Sequence, residues 1–430
     1  MKVLFLTPGA GRMYCGGCLH DHALVSALQS LGHDTLMIPL YLPPQLEDSS
    51  SQVNTPIFFN GVNVYLDQRL QFYRNAPRFL RKIIGSNLTA KLASFIPTST
   101  EASEETAYIA LSMLRGEDGN QARDLDELID WLKSNFKPDV TCLSNSMLLG
   151  IAGRLKETLK CKVVCQFQGE DAYIESFPEP PRSEVWKLLN KKCKDVDLFI
   201  APSKYSIKQV GRRLQFPDNK VTVVYNGINL KDFPLIPKKL NSSAPVIGYF
   251  ARVCPEKGTE LLVDAFIELH NMNRIPQLKL KIAGTLIQKD RKFAENLQKR
   301  IKYLDLNTHA EFNFNVNKDE KRKFYQEASI FSVPAIISEV FGLYVAEAMA
   351  SGIPLILPNH GSFTELIEIT GAGVLYHPNN PRNLANTIYN LLSDPERYNS
   401  YSLAGIEAAK TIFTSQVMAK NFATAISQIF

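Results

Sequence analysis

The stretch Ser338–Gly352 reads SEVFGLYVAEAMASG, and its reading decides the fold. Apolar runs flank it, Ile330-Phe331-Ser332-Val333 before and Pro354-Leu355-Ile356-Leu357 after. Short continuous apolar runs of this kind read as strands buried on both faces, the habit of parallel sheets. Between them, Phe341-Gly342-Leu343 marks the point where a loop turns into a helix. A strand, a glycine turn and a helix start form the ligand edge of a parallel α/β sheet. The first amides of a helix lack internal partners and add to the positive end of its dipole, so they suit an anion such as a diphosphate. Two carboxylates, Glu339 and Glu347, sit eight positions apart across the turn. On one continuous helix that spacing would set them about 80° apart, so they need not share a face. Glu339 is expected in the loop, and Glu347 more than one turn inside the helix.

Working outward, the strand–helix alternation continues both ways. Lys2–Thr7 is a short β-rich run cut off by Pro8-Gly9, and the spacing from Leu19 to Leu31 is helical, with Gly32 as a stop signal. Asp34–Leu40 is the next strand. Asn60-Gly61 between apolar runs predicts a hairpin. The alternation restarts at Val246–Phe250, with Arg252–Gly258 as a loop and Thr259–His270 as a helix. Between the halves, Lys231–Ala244 is rich in Pro, Lys, Asn and Ser and reads as a linker. The expected division is residues 1–235, residues 236–412 and a last amphipathic helix in residues 413–430.

Composition bounds the function. The chain has 430 residues, 45 % of them hydrophobic and 21 % charged, which fits an ordinary globular α/β protein of two to three domains. Its net charge of +5 is too small to argue for nucleic acid and fits anionic small molecules or weak membrane contact. Seven cysteines form no regular framework and suggest free thiols in a reducing compartment. No apolar run approaches the roughly 20 residues that span a bilayer, and the start lacks signal-peptide character, so a soluble cytoplasmic protein is expected. The basic, amphipathic stretch Arg69–Lys91 has two readings, a solvated helix or a peripheral contact with anionic lipid.

Four groups of residues could carry chemistry. Arg252 and Lys257 lie five apart in a loop between a strand and a helix, where a phosphate-rich ligand would meet both cations and a helix dipole; the plainer reading is a solvated loop. Gly16-Gly17, just before a helix, suits close approach of backbone to a ligand. Cys15-Gly16-Gly17-Cys18 has redox spacing, but nothing thioredoxin-like follows, and His20 and His22 do not complete a zinc set. Glu170 and Asp171 follow Gly169 at a strand's C-terminal end, where open sheets gather catalytic groups; a helix cap or surface turn reads equally well.

Taken together, Arg252 with Lys257-Gly258, and Glu339 and Glu347 inside Glu-Val-Phe-Gly-Leu…Glu-Ala-Met-Ala-Ser-Gly, resemble the retaining glycosyltransferases of family 4. Ala201-Pro202-Ser203-Lys204, Val224-Tyr225-Asn226-Gly227-Ile228 and Gly361…Glu365 extend the resemblance over nearly the whole chain. It implies the GT-B fold: two Rossmann-like α/β domains facing across a cleft, the first binding the acceptor and the second the nucleotide-sugar, with the last helix crossing back to the first domain. It also implies that Arg252 and Lys257 hold the donor's diphosphate and that Glu339 lies against its sugar. The amides of Phe341, Gly342 and Leu343 would cap the phosphates, Glu347 would bind ribose hydroxyls, and Gly16 and Gly17 would let a loop close over the phosphate. Glu339, Arg252 and Lys257 are then the expected catalytic residues. Two cations and helix amides can stabilise a leaving diphosphate without a metal, so neither metal nor cofactor is expected.

One departure concerns the acceptor side. Many members carry a histidine after the strand that here reads Val164-Cys165-Gln166-Phe167, and this chain has Gln168. A glutamine can hydrogen-bond a sugar but cannot act as a base near neutral pH. Gln168, Glu170 and Asp171 are the candidates there. The expected acceptor is a sugar, a polysaccharide precursor or a lipid-linked molecule. The alternatives are a sugar-nucleotide epimerase or hydrolase, or a non-catalytic binding protein, on the same fold.

Overall fold

The computed structural model describes residues 1–9, 16–41, 58, 59, 77, 103–240, 244–275 and 277–430. The hairpin expected around Asn60-Gly61, Cys15, and Arg69–Lys91 apart from Pro77 lie outside the described residues. The chain forms two units, Met1–Val224 with Met418–Phe430, and Tyr225–Val417.

The first unit runs β1 (Lys2–Thr7), α1 (Gly16–Ser30), β2 (Asp34–Pro39), α2 (Glu104–Arg115), α3 (Ala122–Asn135), β3 (Val140–Leu143), α4 (Ala152–Leu159), β4 (Lys162–Gln166), α5 (Glu170–Glu175), α6 (Pro181–Lys192), β5 (Leu198–Ala201), α7 (Lys204–Val210) and β6 (Val221–Val223). Its six described strands are all parallel in the order β2-β1-β3-β4-β5-β6. Parallel neighbours need long crossovers, and the helices supply them. The helices start where local chemistry allows. At α2 the Ser103 hydroxyl accepts from the Thr106 amide at 3.1 Å, and Thr106 caps the Ser103 amide in return, with Glu104 and Glu105 in the first turn. Leu125, Leu128, Ile129 and Leu132 of α3 fall at helical spacing and are all buried.

Strand β1 shows why the sheet has helices on both faces. Its residues alternate sides. Val3 and Phe5 pack with Leu24 and Leu28 of α1, whereas Leu4 and Leu6 pack with Leu111, Leu149 and Leu155. Met418, Ala419, Phe422 and Ile426 of the last helix join the Val3–Phe5 side, with the Phe5 and Phe422 rings 5.6 Å apart. Fully burying one such side chain contributes roughly 1.5–3 kcal/mol.

The second unit runs β7 (Val246–Phe250), α8 (Thr259–Met272), β8 (Lys279–Gly284), α9 (Arg291–Tyr303), β9 (Ala310–Phe314), α10 (Lys318–Glu327), β10 (Ile330–Phe331), α11 (Leu343–Ala350), β11 (Leu355–Pro358), α12 (Ser362–Thr370), β12 (Gly373–Tyr376), α13 (Pro381–Leu392) and α14 (Pro395–Thr411), and α15 (Ser415–Ser427) leads out of it. Its sheet is again six parallel strands, in the order β12-β11-β10-β7-β8-β9.

The units meet in sequence at Val224 and Val417, where the sequence reading divides the chain at 235 and 412. Two chain segments explain the shift. The Ile228 amide donates to the Phe413 carbonyl at 2.8 Å and the Ser415 amide to the Ile228 carbonyl at 2.9 Å, so the crossing segments pair inside the second unit. The Pro- and Lys-rich stretch after them packs there too. Phe233, Leu235 and Leu240 lie against its core, and the Lys238 amide donates to the Ser402 hydroxyl at 2.8 Å. Composition flagged a linker where the chain is in fact a strap on one unit. No described helix is long and apolar enough to cross a membrane.

Candidate functional site

In the second unit the chain builds β7, β8 and β9 to one side of β7 and then β10, β11 and β12 to the other. The loops after β7 and β10 therefore flank the point where the strand order reverses, the place where open parallel sheets bind ligands. The loop after β7 carries Arg252 and Lys257 and closes in a single turn, Pro255–Lys257, before Gly258 (φ 69°) leads into α8. A Cβ on Gly258 would collide with the Pro334 carbonyl oxygen, so a glycine is required for the two loops to touch. Backbone bonds hold the contact: the Ile336 amide donates to the Glu256 carbonyl at 2.9 Å.

That contact brings Lys257 and Glu339 together as a direct ion pair, with side chains 26 % and 12 % exposed. The Glu339 backbone is fixed from the other side, since the Ser362 amide donates to its carbonyl at 2.9 Å. His360 pins the approach to Glu339. Its Nε2 lies 3.0 Å from the Ala335 carbonyl and its Nδ1 3.1 Å from the Ser338 hydroxyl. Burial holds the His360 imidazole below its ordinary range, which favours the neutral ring. Arg252 stands on the same loop as Lys257, with Nε donating to the Cys254 sulfur at 3.2 Å and Nη2 3.5 Å from Glu256.

Helix α11 opens on Gly342, at φ 82°, with no side chain capping its first turn and no acidic residue in it. The amides of Phe341, Gly342 and Leu343 make no hydrogen bond among the described residues. Phe341 itself is buried against Phe413, ring centroids 5.6 Å apart, which anchors the turn. The result is a short row of unpaired amides near one ion pair, a constellation suited to an anion.

Glu347 stands apart. It is 8 % exposed, with Oε1 2.7 Å from Lys321 Nζ and Oε2 2.7 Å from the Tyr325 hydroxyl. Lys321 and Tyr325 are four residues apart on α10 and so share a face. Lys321 also lies 5.6 Å from the centre of the Phe250 ring. The structure thus brings Lys257, Glu339 and the α11 amides together and gives Glu347 a separate, buried setting. Lys321 and Tyr325 escaped the sequence reading because one lysine and one tyrosine at helical spacing are unremarkable in a helix.

The first unit has its own reversal, between β1 and β3. Helix α1, after β1, covers one face of the sheet, and the segment after β3, with Leu148, Leu149 and Ile151, covers the other. At the C-terminal ends of β1, β3 and β4 lies a buried polar cluster. Asp21 of α1 has no exposed surface. It takes hydrogen bonds from the Ser144 hydroxyl and from Gln166 Nε2, the latter at 3.1 Å, and lies 3.2 Å from His20 Nδ1. Gln168 Nε2 is 3.5 Å from the same ring nitrogen.

Glu170 has a bracing role in this edge. Its Oε1 accepts from the Ser146 amide at 2.6 Å and its Oε2 from the Gln168 amide at 2.7 Å, tying the turn after β3 to the turn after β4. Burial raises its carboxyl above the usual carboxylate range, against the pull of those amides. Asp171 sits in the first turn of α5. Gly16 opens α1, with no described atom within 4 Å of where its Cβ would stand, and Gly17 follows it in the same turn. Cys18 is buried, its sulfur 3.7 Å from the Thr7 hydroxyl. His20 and Asp21 were missed as a site. The available signal was Asp21 itself, a carboxylate on the stripe of Cys18, Leu24, Val25 and Leu28. Among the described residues, no group of three or more His, Cys, Asp or Glu is placed to hold a metal.

Residues 232–408 match the sequence profile described as Glycosyl transferases group 1, and residues 104–232 the one described as Glycosyltransferase Family 4. The chain belongs to the group 1, family 4 glycosyltransferases. An uncharacterized glycosyltransferase of Methanocaldococcus jannaschii is 30 % identical over 209 residues, 45 % of this chain and 50 % of that protein. The lipopolysaccharide 1,2-N-acetylglucosaminetransferase of Salmonella typhimurium is 27 % identical over 239 residues, 52 % of this chain and 59 % of that protein. The family member described here thus spans about half the length of these curated relatives. Two solved structures share its fold along the whole chain. An Anabaena protein in complex with UDP superposes with a TM-score of 0.66 at 17 % identity, covering 100 % of both chains. Sucrose-phosphate synthase from Thermosynechococcus elongatus gives 0.68 at 16 %, covering 100 % of this chain and 99 % of that one. The fold is GT-B.

Proposed function

We propose that this chain is a retaining glycosyltransferase that moves a sugar from a nucleotide-diphosphate sugar to an acceptor hydroxyl without a metal ion. The observation that carries the reading is the Lys257–Glu339 pair beside the unpaired amides at the start of α11. The reading assigns the diphosphate to those amides with Lys257 and Arg252, and the donor sugar to Glu339. Charge then grows on the leaving phosphate where fixed positive groups already stand, which lowers the barrier without reorganisation. Glu347, fixed by Lys321 and Tyr325, keeps lone pairs for ribose hydroxyls. The UDP and UDP-glucose complexes of the Anabaena protein support a nucleotide-sugar donor. The first unit is assigned the acceptor: a sugar, a polysaccharide precursor or a lipid-linked molecule. A cytoplasmic location goes with this reading, and Arg69–Lys91 is the stretch to test for lipid contact.

The test is a thermal-shift screen with UDP, GDP, ADP and their sugar conjugates, followed by transfer assays with and without a chelator. A nucleotide at about 100 times its Kd should stabilise the chain by about 2.7 kcal/mol. The anomeric configuration of the product, read by NMR, decides between retention and inversion. Donor conversion to an isomer or to free sugar alone would favour an epimerase or a hydrolase. Full transfer by Lys257→Ala and Glu339→Ala would sink the assignment, and binding without any turnover would leave a sugar-nucleotide-binding protein.

A further inference from the structure

The buried cluster of the first unit is unusual for what it lacks. Among the described residues, the basic side chain paired with Asp21 is His20, and no lysine or arginine joins it. An isolated buried carboxylate is costly, and this one is made tolerable by hydroxyl and amide donors from two further elements, Ser144 after β3 and Gln166 at the end of β4. A cluster that merely fastened three strand ends could use neutral groups throughout. A carboxylate facing an imidazole nitrogen does something more specific. At 3.2 Å it favours the tautomer with the proton on Nδ1 and the lone pair on Nε2. No described residue hydrogen-bonds that Nε2. Gln168, half-buried, has its Nε2 3.5 Å from Nδ1 of the same ring and offers an amide that can both give and accept. All this stands at the carboxyl edge of the sheet where the strand order reverses.

We propose that His20, oriented by Asp21, accepts the hydrogen bond of the acceptor's reacting hydroxyl, and that this hydroxyl belongs to an uncharged part of the acceptor. The inference rests on the glycosyltransferase reading and adds the residue that reads the second substrate. Asp21 is a positioning residue, and Gln168 the neighbour that shares the hydroxyl. At 3 % exposure, His20 meets a single hydroxyl and not the face of a sugar ring. Among the described residues no lysine or arginine is paired in the cluster, which disfavours a phosphate at this position, in contrast with the loop of Arg252 and Lys257.

The experiment uses the full chain labelled with ¹⁵N-histidine, His20 assigned by its loss in His20→Gln. The ring should show Nδ1 protonated and Nε2 bare. Its signals should move on titration with methyl α-glucoside, methyl α-mannoside or methyl N-acetylglucosaminide in the presence of the nucleotide chosen by the thermal screen, and should ignore the corresponding 6-phosphates. Kinetically, His20→Ala should raise the KM for the preferred glycoside by about three- to tenfold, the value of one hydrogen bond, with the donor KM unmoved. His20→Gln, which keeps an acceptor atom, should recover part of the loss. A protonated Nε2, a ring indifferent to every glycoside, or a preference for the 6-phosphates overturns the proposal. Equal loss of donor and acceptor binding in His20→Ala, with a lowered Tm, overturns it in favour of a purely structural cluster. A ring that answers glycosides in a chain that binds no nucleotide would instead sink the donor assignment, and with it the reacting role of the hydroxyl, leaving His20 as a glycoside-binding residue.

Discussion

At the reversal point of the second sheet the polar groups are Arg252, Lys257 and Glu339 on loops, partly exposed and beside unpaired amides. At the reversal point of the first they are Asp21, His20, Ser144 and Gln166, all but sealed from water and drawn from a helix and strand ends. Both sheets are parallel, with six described strands each, and the order reverses after the second strand in the first unit and after the third in the second. What differs is how each carries its charge. The second unit keeps its cations half-solvated, where under the proposed function a ligand phosphate would replace Glu339 as the partner of Lys257. The first unit fixes one carboxylate inside a hydrogen-bonded shell, where it can only orient its neighbours. Charges that must be handed to a ligand stay near water, and charges that must hold a geometry are buried.

The contrast has an internal exception, and it yields the largest expected effect. Glu347 and Lys321 lie in the second unit but are buried like Asp21, each 8 % exposed. Lys321→Met should therefore behave as the breaking of a buried pair, leaving Glu347 with Tyr325 and costing about 3–5 kcal/mol. Urea unfolding followed by a probe in the second unit measures it, because two units need not unfold together. A loss near zero would place Glu347 in the handed-over class with Glu339.

Lys257→Ala tests the other class. Its partner Glu339 is not sealed, so stability should change little, while the chemical step should slow by about 10²–10³. Transfer assays at saturating donor read this directly. A large fall in Tm with unchanged kcat would reverse the assignment and make the Lys257–Glu339 pair a structural clasp.

In the first unit, Asp21→Asn keeps the size and an oxygen acceptor but removes the charge and sets an amide against the donors Ser144 and Gln166. One or two bonds should fail, costing about 1–3 kcal/mol. The ring of His20 should then lose its fixed tautomer, visible by ¹⁵N NMR. An unaltered ring would show that Gln168, and not Asp21, sets its orientation.

The same contrast explains what the sequence discloses. The second unit's site was legible because its charges lie in two compact motifs, each between a strand and a helix, so that Lys257 and Glu339 could be placed at one edge before any contact was known. The strands were legible too, since β1, β7 and β11 are apolar runs buried on both faces. The first unit's cluster was not. Asp21, Ser144 and Gln166 are separated by up to 145 residues and meet only through sheet order. The helices Ala152–Leu159 and Pro181–Lys192 likewise went unread. The division at Val224 was hidden because Phe233 and Leu235, inside a stretch of linker composition, are packed apolar residues.

Glu170, half-buried, offers the smallest and sharpest test of the rule for held charge. Its two oxygens accept amides from Ser146 and Gln168, which favours the ionised form, yet burial opposes them and leaves the carboxyl above its ordinary value of 4.5. A carboxyl whose folded value is raised binds its proton more tightly in the native state than in the unfolded one. Its contribution to stability is then present in full below the ordinary range and is lost as pH rises through the raised value. Glu170→Gln removes that titration while keeping one acceptor. The stability of the natural chain relative to the variant should therefore fall as pH rises from below 4.5 toward neutrality. Urea midpoints of the two proteins across that range measure the slope. A difference that grows with pH would mean that the two amides outweigh burial at Glu170. In that case the first unit's edge would tolerate charge far better than the sealing of Asp21 implies, and the separation between held and handed-over charges would rest on the second unit alone.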